Sequence, residues 1–247
     1  MQFLNTEIDN LSFDEAIETI DRMIQEKKGG YVVTPNVDHI VQLEKNQELR
    51  EAYRCASLVL TDGQPLIWFS KLLKCPIKEK ISGSDLFPRL CELSAKRGYT
   101  MFFLGAREGV AAKAAESLKQ KYPGLQVNGI FSPAYGFEKD QGQVEEIWTM
   151  IREAAPDILI AGLGTPKQEI FLWQNREKLG GILAFGLGAS FDFEAGEVKR
   201  APKWMQKSGL EWIYRITREP KRLFRRYLTD GIQILPIVWK YRKVREK

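Results

Sequence analysis

The sequence predicts an α/β protein built on a parallel sheet, and three observations carry that expectation. Short β-rich runs alternate with helical stretches along most of the chain. The runs are apolar on both sides, as strands covered by helices on both faces must be. Glycine and polar residues gather immediately after the runs, at what becomes one edge of the sheet.

The first element is a helix over Ser12–Lys27. Ser12 and Glu15 have the spacing of a capping box, and Phe13, Ile17, Ile20 and Ile24 follow at helical intervals. Gly29-Gly30 ends it, and Tyr31–Thr34 reads as a strand stopped by Pro35. Further strands are expected near Ser57–Leu60, Thr100–Leu104, Leu125–Ile130, Asp157–Ala161 and Ile182–Phe185. Between them, helices are expected over Asp38–Cys55, Pro65–Leu73, Asp85–Arg97, Gly109–Lys121, Val144–Ala155 and Gln168–Lys178. About six parallel strands make a sheet of ordinary size. From Trp204 onward the chain becomes helical, aromatic and basic, with Pro220 placed to divide the segment. Residues 1–200 are therefore read as an α/β catalytic body and 201–247 as a helical appendage.

Bulk composition narrows the function classes. The 247 residues are 44% hydrophobic and 28% charged, an ordinary globular balance. No uninterrupted apolar run reaches the ~18 residues that a membrane-spanning helix needs. The N-terminus is acidic where a signal peptide is basic and then apolar, so the chain is expected to stay in the compartment where it is made. Cys55, Cys75 and Cys91 form no CxxC pair and read as small core residues in a reducing cytosol. A single histidine, His39, excludes a multi-histidine metal site. The net charge of +5 is unevenly spread: Arg200–Lys247 holds fourteen Lys/Arg and four Asp/Glu, a net of +10 against −5 for the rest. Such a tail calls for an anionic partner, nucleic acid or anionic lipid.

The residues that follow each strand are the candidates for chemistry: Thr34-Pro35-Asn36, Thr61-Asp62-Gly63, Gly105-Ala106-Arg107, Gly162–Glu169 and Gly186–Asp192. Gly162–Glu169 is the richest. Its glycines allow close backbone approach, Pro166 suits a first helical turn, and the helix start offers free N–H groups to a phosphate. The same residues also suit a tight strand-to-helix turn with no ligand. Neither GxxxxGK[ST] nor GxGxxG is present, so no P-loop or dinucleotide fingerprint supports a nucleotide cofactor. Asp62 is placed to act as a general base, although Asp-Gly also forms turns for purely conformational reasons. His39 falls in the first turn of a helix and reads as structural or solvated. Asp192-Phe193-Glu194 resembles Asp-x-Asp only loosely, and no metal is assigned. In the tail, Arg215, Arg218, Arg222 and Arg225 share a helical face suited to a diphosphate or an anionic lipid surface.

Taken together, Thr34-Pro35-Asn36, Asp62-Gly63, Ser82-Gly83-Ser84-Asp85-Leu86, Phe103-Leu104-Gly105-Ala106, Gly162–Glu169 (GLGTPKQE) and Gly196–Pro202 (GEVKRAP) resemble the WecG/TagA/CpsF glycosyltransferases in order and spacing, from about residue 3 to the tail. The resemblance implies a Rossmann-like domain with a C-terminal helical appendage that touches the membrane. It implies a bacterial enzyme of surface-polysaccharide assembly, of the wall teichoic acid type, needing no cofactor or metal. Members move N-acetylmannosamine, its uronic acid or another sugar such as glucose from UDP, with inversion, to N-acetylglucosamine on undecaprenyl diphosphate. Residue by residue, it implies Asp62 as catalytic base, Thr34 and Gln168 as polar active-site groups and Asn36 as a substrate contact. Lys80 stands where a relative has arginine, which keeps the charge and loses the bidentate fork. Arg215, Arg222 and Arg225 match arginines thought to close over the diphosphate, and Tyr135-Gly136-Phe137 loosely matches a donor-side loop. Gly63, Gly105, Arg107, Gly164 and Asp192 complete the expected substrate-binding set at the sheet edge.

The resulting expectation is a peripheral enzyme on the inner face of the cell membrane. Its partners are a UDP-sugar donor, a polyprenyl-diphosphate-linked acceptor and an anionic membrane surface. The partly exposed apolar tail also suits a homo-oligomer. A nucleic-acid-binding protein with a basic arm is the main competitor, and the acidic body argues against it. A nicotinamide-dependent oxidoreductase lacks its glycine motif and following acidic residue.

Overall fold

The protein is described by a computed structural model covering residues 1–218 and 220–245, with the side chains of 207, 221, 222 and 243–245 outside the description. A two-stranded antiparallel hairpin, β1 (Gln2–Phe3) and β2 (Thr6–Glu7), opens the chain and has no counterpart in the sequence expectation. Then come α1 (Phe13–Gln25), β3 (Gly30–Val33), α2 (Val37–Leu43), α3 (Gln47–Arg54), β4 (Leu58–Val59), α4 (Gln64–Leu72) and α5 (Gly83–Arg97). The second half runs β5 (Thr100–Gly105), α6 (Val110–Lys121), β6 (Gln126–Phe131), α7 (Gln141–Ala154), β7 (Ile158–Gly162), α8 (Lys167–Gln174), β8 (Leu183–Gly186) and α9 (Ser190–Glu194). The appendage is α10 (Lys203–Lys207), α11 (Glu211–Arg218) and α12 (Pro220–Arg245).

Among the described residues, β3 to β8 form one six-stranded sheet in the order β4-β3-β8-β7-β5-β6, with every pairing parallel. The expected α/β fold with a helical appendage is the observed one. Alternate residues of each strand enter opposite cores, as the period of two requires. Tyr31, Val33, Phe102, Leu104, Leu159 and Ala161 pack on one face with α2, α3, α7, α8 and the inner side of α12. Val32, Met101, Phe103, Ile158, Ile160 and Phe185 pack on the other with α1, α5 and α6. There Phe87, Phe103 and Phe191 meet edge to face at 5.2–5.3 Å.

The capping box of α1 forms as read, with Ser12 and Glu15 each closing on the other's backbone. Three local expectations are corrected. The single helix over Asp38–Cys55 is two, because Asn46 accepts from the Leu49 N–H and starts a new helix after a break at Glu44 and Lys45. The helix expected to reach Lys178 ends at Gln174 and gives way to a 3-10 turn over Arg176–Lys178. Of the three free cysteines only Cys91 is buried; Cys75 is half-buried and Cys55 exposed, since Cys55 stands at the solvent-facing C-cap of α3.

Candidate active site

At the carboxyl edge of β3 and β4, the chain leaves the sheet through two short loops. Asn36 caps α2, its side-chain oxygen accepting from the N–H groups of Asp38 and His39. Asp62 follows β4, held by its N–H donating to the Pro35 carbonyl at 2.8 Å. Gly63 then starts α4 with φ 96 and ψ 129, a conformation that strongly favours glycine, and so fixes the direction of the Asp62 side chain. Over these loops fold α11 and α12. A cavity of about 310 Å³ lies between, walled by Asn36, Asp62, Gly63 and Lys80 below and by Glu211, Trp212, Arg215, Arg226, Tyr227 and Asp230 above.

Among the described residues no group hydrogen-bonds the Asp62 carboxylate. Burial raises its pKa to about 6, aided by Glu211 and opposed by Lys80, Arg215 and His39. Asp230 is also pushed up to about 6, by burial and then by Asp38, with Arg226 opposing. Arg226 stands 4.0 Å from Asp38 and 3.8 Å from Asp230, and its Nε, like that of Arg215, is buried without a hydrogen-bond partner among the described residues. The cavity thus holds the Asp62 carboxylate and the Nε atoms of Arg215 and Arg226, all without a hydrogen-bond partner among the described residues. The appendage is fastened beside it by Arg200 of the GEVKRAP segment. Arg200 donates to Asp85 at 2.7 Å and to Glu211 at 3.4 Å, joining α5 to α11. Despite partial burial, the Ser82 hydroxyl and Arg200 hold the Asp85 carboxyl below its usual range.

A second feature lies nearer the middle of the sheet. The chain leaves β7 for α8 on one face and leaves adjacent β5 for α6 on the other, so β5 and β7 mark the switch point at which parallel sheets of this kind offer a crevice to a ligand. Gly105 (φ 104) lies against Gly162, whose carbonyl oxygen would be 2.6 Å from a Cβ at position 105. Arg107 is exposed and reaches Asp192 at 3.5 Å, while Tyr135 is fully exposed with Lys167 4.3 Å from its ring centre. Pro166 stands at the N-cap of α8, one residue before the first turn, and its peptide bond with Thr165 is cis.

The expected site residues therefore fall into separate groups. Asn36, Asp62, Gly63, Lys80 and Arg215 meet in the cavity. Gly105, Arg107, Tyr135, Gly164 and Asp192 lie at or near the carboxyl ends of β5, β6, β7 and β8. Thr34 is buried at the end of β3, outside the cavity wall. Gln168 is buried with its amide engaged at both ends: its oxygen accepts from Gly164 and Gly188 N–H groups and its nitrogen donates to Glu169. Arg225 is exposed, and the side chain of Arg222 lies outside the described residues. The shared arginine face is interrupted because α11 and α12 fold back on each other, bringing the Trp212 and Tyr227 rings to 6.2 Å.

Sequence reasoning missed Arg226, Glu211 and Asp230 in the cavity, and His39 and Glu169 beneath it. Dividing the segment at Pro220 was not enough to single out Arg226, whose signal is its four-residue spacing to Asp230 and Ile234 on the inward face. His39 and Glu169 are 4% and 1% exposed, and their rings and carboxylates meet at 3.1 Å across 130 residues, which local pattern does not encode.

The outer side of α12 presents Phe224, Leu228, Ile232, Leu235 and Trp239, all exposed, at spacings that place them on one stripe. No helix among the described residues is long and apolar enough to cross a membrane. Nor do three or more His, Cys, Asp or Glu side chains gather closely enough to hold a metal ion among those residues.

Comparison with known proteins adds a further observation. Residues 1–247 match the Glycosyl transferase WecG/TagA/CpsF family. A protein of Bacillus spizizenii (strain W23), named N-acetylglucosaminyldiphosphoundecaprenol N-acetyl-beta-D-mannosaminyltransferase, is 33% identical over 93% of this chain and 85% of its own length. A protein of the same name from Bacillus subtilis (strain 168) is 30% identical over 81% of this chain and 75% of its own.

Proposed function

The chain belongs to the WecG/TagA/CpsF glycosyltransferase family, and from that premise we propose that it transfers N-acetylmannosamine from UDP to N-acetylglucosamine on undecaprenyl diphosphate, with inversion. The names of the two Bacillus relatives support this transferred sugar and this acceptor.

Asp62 takes the proton of the acceptor hydroxyl. That oxygen attacks the anomeric carbon from the face opposite the leaving group, and UDP departs with the bonding electron pair. The β5–β7 crevice receives the donor nucleotide, as crevices at diverging loops of parallel sheets do. Its glycines admit the diphosphate to the backbone, and Arg107 supplies a charge. Lys80, Arg215 and Arg226 face the acceptor side, where the lipid-linked diphosphate carries compensating negative charge.

The observation that carries this reading is Asp62: a carboxylate with no hydrogen-bond partner among the described residues, raised to about 6, in a cavity whose wall also holds Lys80, Arg215 and Arg226. A base of that pKa is ionised at neutral pH yet basic enough to accept a proton as the bond forms.

The exposed stripe of α12, beside the tail's excess of +10, supports a seat on an anionic membrane surface, with apolar groups in the interface and basic groups among headgroups. An acceptor anchored in that surface would then meet the cavity from the appendage side. The test is UDP release from a panel of UDP-sugars with and without a polyprenyl-diphosphate-linked N-acetylglucosamine analogue. Acceptor-dependent release from UDP-N-acetylmannosamine is expected. Acceptor-dependent release confined to UDP-N-acetylmannosaminuronic acid or UDP-glucose replaces the donor, and no acceptor-dependent release contradicts the reaction.

A further inference from the structure

Beneath the cavity, five side chains from two distant segments of the chain form one connected polar group. His39 Nδ1 lies 2.9 Å from the Asn36 side-chain oxygen, and His39 Nε2 lies 3.1 Å from both Glu169 Oε1 and Thr165 Oγ1. Gln168 donates to the same Glu169 oxygen at 2.8 Å and itself holds the loops after β7 and β8 through Gly164 and Gly188. The ends of β3, β8 and β7, neighbours in the sheet, are thus joined by one hydrogen-bonded line.

This is a costly arrangement for stability alone. Two ionisable groups are taken almost wholly out of water, and an apolar pair of similar volume often serves a core as well or better. The second Glu169 oxygen finds no hydrogen-bond partner among the described residues. His39 Nδ1 accepts from the Asn36 backbone N–H at 3.3 Å, completing the capping box of α2, while Nε2 faces the Glu169 and Thr165 oxygens. Neither His39 nor Glu169 lines the cavity, but Asn36 does, and a Cβ placed on Gly63 beside Asp62 would lie 3.7 Å from the Asn36 Cβ.

We infer that His39 and Glu169 act as a positioning pair for sugar transfer, holding Asn36 and the Asp62 loop in register with the Gly164–Thr165 loop while touching neither substrate. The inference rests on the transfer reading above. It also gives His39 an electrostatic part, because His39 is the last-ranked of the groups that oppose the rise of the Asp62 pKa. The other ionisable groups acting on Asp62 are Lys80, from the connection between α4 and α5, and Glu211 and Arg215 on α11. Tyr53, on α3 and 6.0 Å from the His39 ring, completes the set.

The experiment measures acceptor-dependent UDP release for the full-length enzyme and for Asp62→Asn, His39→Ala, His39→Gln and Glu169→Gln, each as a pH profile. His39→Ala should lower kcat by about 10²-fold, the usual result of a small misplacement of reacting groups, with KM within about threefold. Its acid limb should move to higher pH, and His39→Gln, which can still bridge Asn36 and Glu169, should restore much of kcat. If His39→Ala does not fold, Glu169→Gln keeps the shape and should lower kcat about tenfold with its unfolding midpoint retained. Unchanged kcat and acid limb in folded variants would overturn the inference, as would a loss of activity that only follows loss of folded protein. Active wild type beside silent Asp62→Asn upholds the transfer reading whatever His39 does. Wild type without acceptor-dependent release overturns both.

Discussion

At Asp62, the same burial that raises the carboxyl to about 6 also costs stability, and the two effects have testable signs. An acid with a folded pKa above its ordinary 3.8 binds its proton more tightly in the folded state. Its ionisation therefore costs the fold nothing below about 4, an increasing amount between about 4 and 6, and a full penalty above about 6. At pH 7.5, Asp62→Asn should stabilise the protein by up to about 3 kcal/mol, raising the unfolding midpoint by several degrees in a thermal melt. The same variant should lose about 10²–10⁴ in kcat, and wild-type kcat should fall as pH drops through about 6. A less stable Asp62→Asn would show that the carboxylate is not strained by its surroundings. Gly63→Ala forces a side chain into backbone φ 96 and should destabilise by about 1–3 kcal/mol, read by denaturant midpoint. The Asp-Gly pair was legible in sequence because it follows an apolar run, whereas His39 and Glu169 were not, because only the folded sheet brings positions 130 residues apart together.

Among the elements, α11 and α12 are held to the body by different means. Leu223, Ile234, Ile237 and Val238 give α12 a buried face, while short α11 has no fully buried residue and depends on the Arg200 clamp to Asp85 and Glu211. Arg200→Ala should free α11, speeding cleavage between Leu210 and Arg218 in limited proteolysis, and should cost about 1.5–3 kcal/mol as a charge-assisted pair is lost. Arg200→Lys should recover only part of this, since one ammonium cannot reproduce a guanidinium held between two carboxylates. The helical character and charge of the appendage were readable from composition. Which arginine enters the cavity was not, because Pro220 restarts the helix and shifts the phase that joins 215 to 225. The α2–α3 break was hidden for a similar reason: Glu44 and Lys45 are good helix formers, and the break comes from the Asn46 cap.

Across the whole molecule, a sheet with two cores is closed at its carboxyl edge by an appendage whose outer stripe remains exposed. That architecture was legible because doubly covered strands read as apolar runs, while the β1–β2 hairpin was not, being two residues per strand. If the stripe meets lipid, Leu228→Glu with Ile232→Glu should abolish co-sedimentation with anionic vesicles and leave the unfolding midpoint within about 2 °C, since both side chains already face outward. The central claim, that Asp62 in the appendage-covered cavity drives transfer, is tested most directly by single-turnover sugar transfer from UDP-N-acetylmannosamine to the polyprenyl-diphosphate-linked acceptor, comparing wild type with Asp62→Asn at pH 7.5. Rapid transfer by wild type and none by a folded, UDP-binding Asp62→Asn is the predicted result; transfer by the variant at the wild-type rate would contradict it.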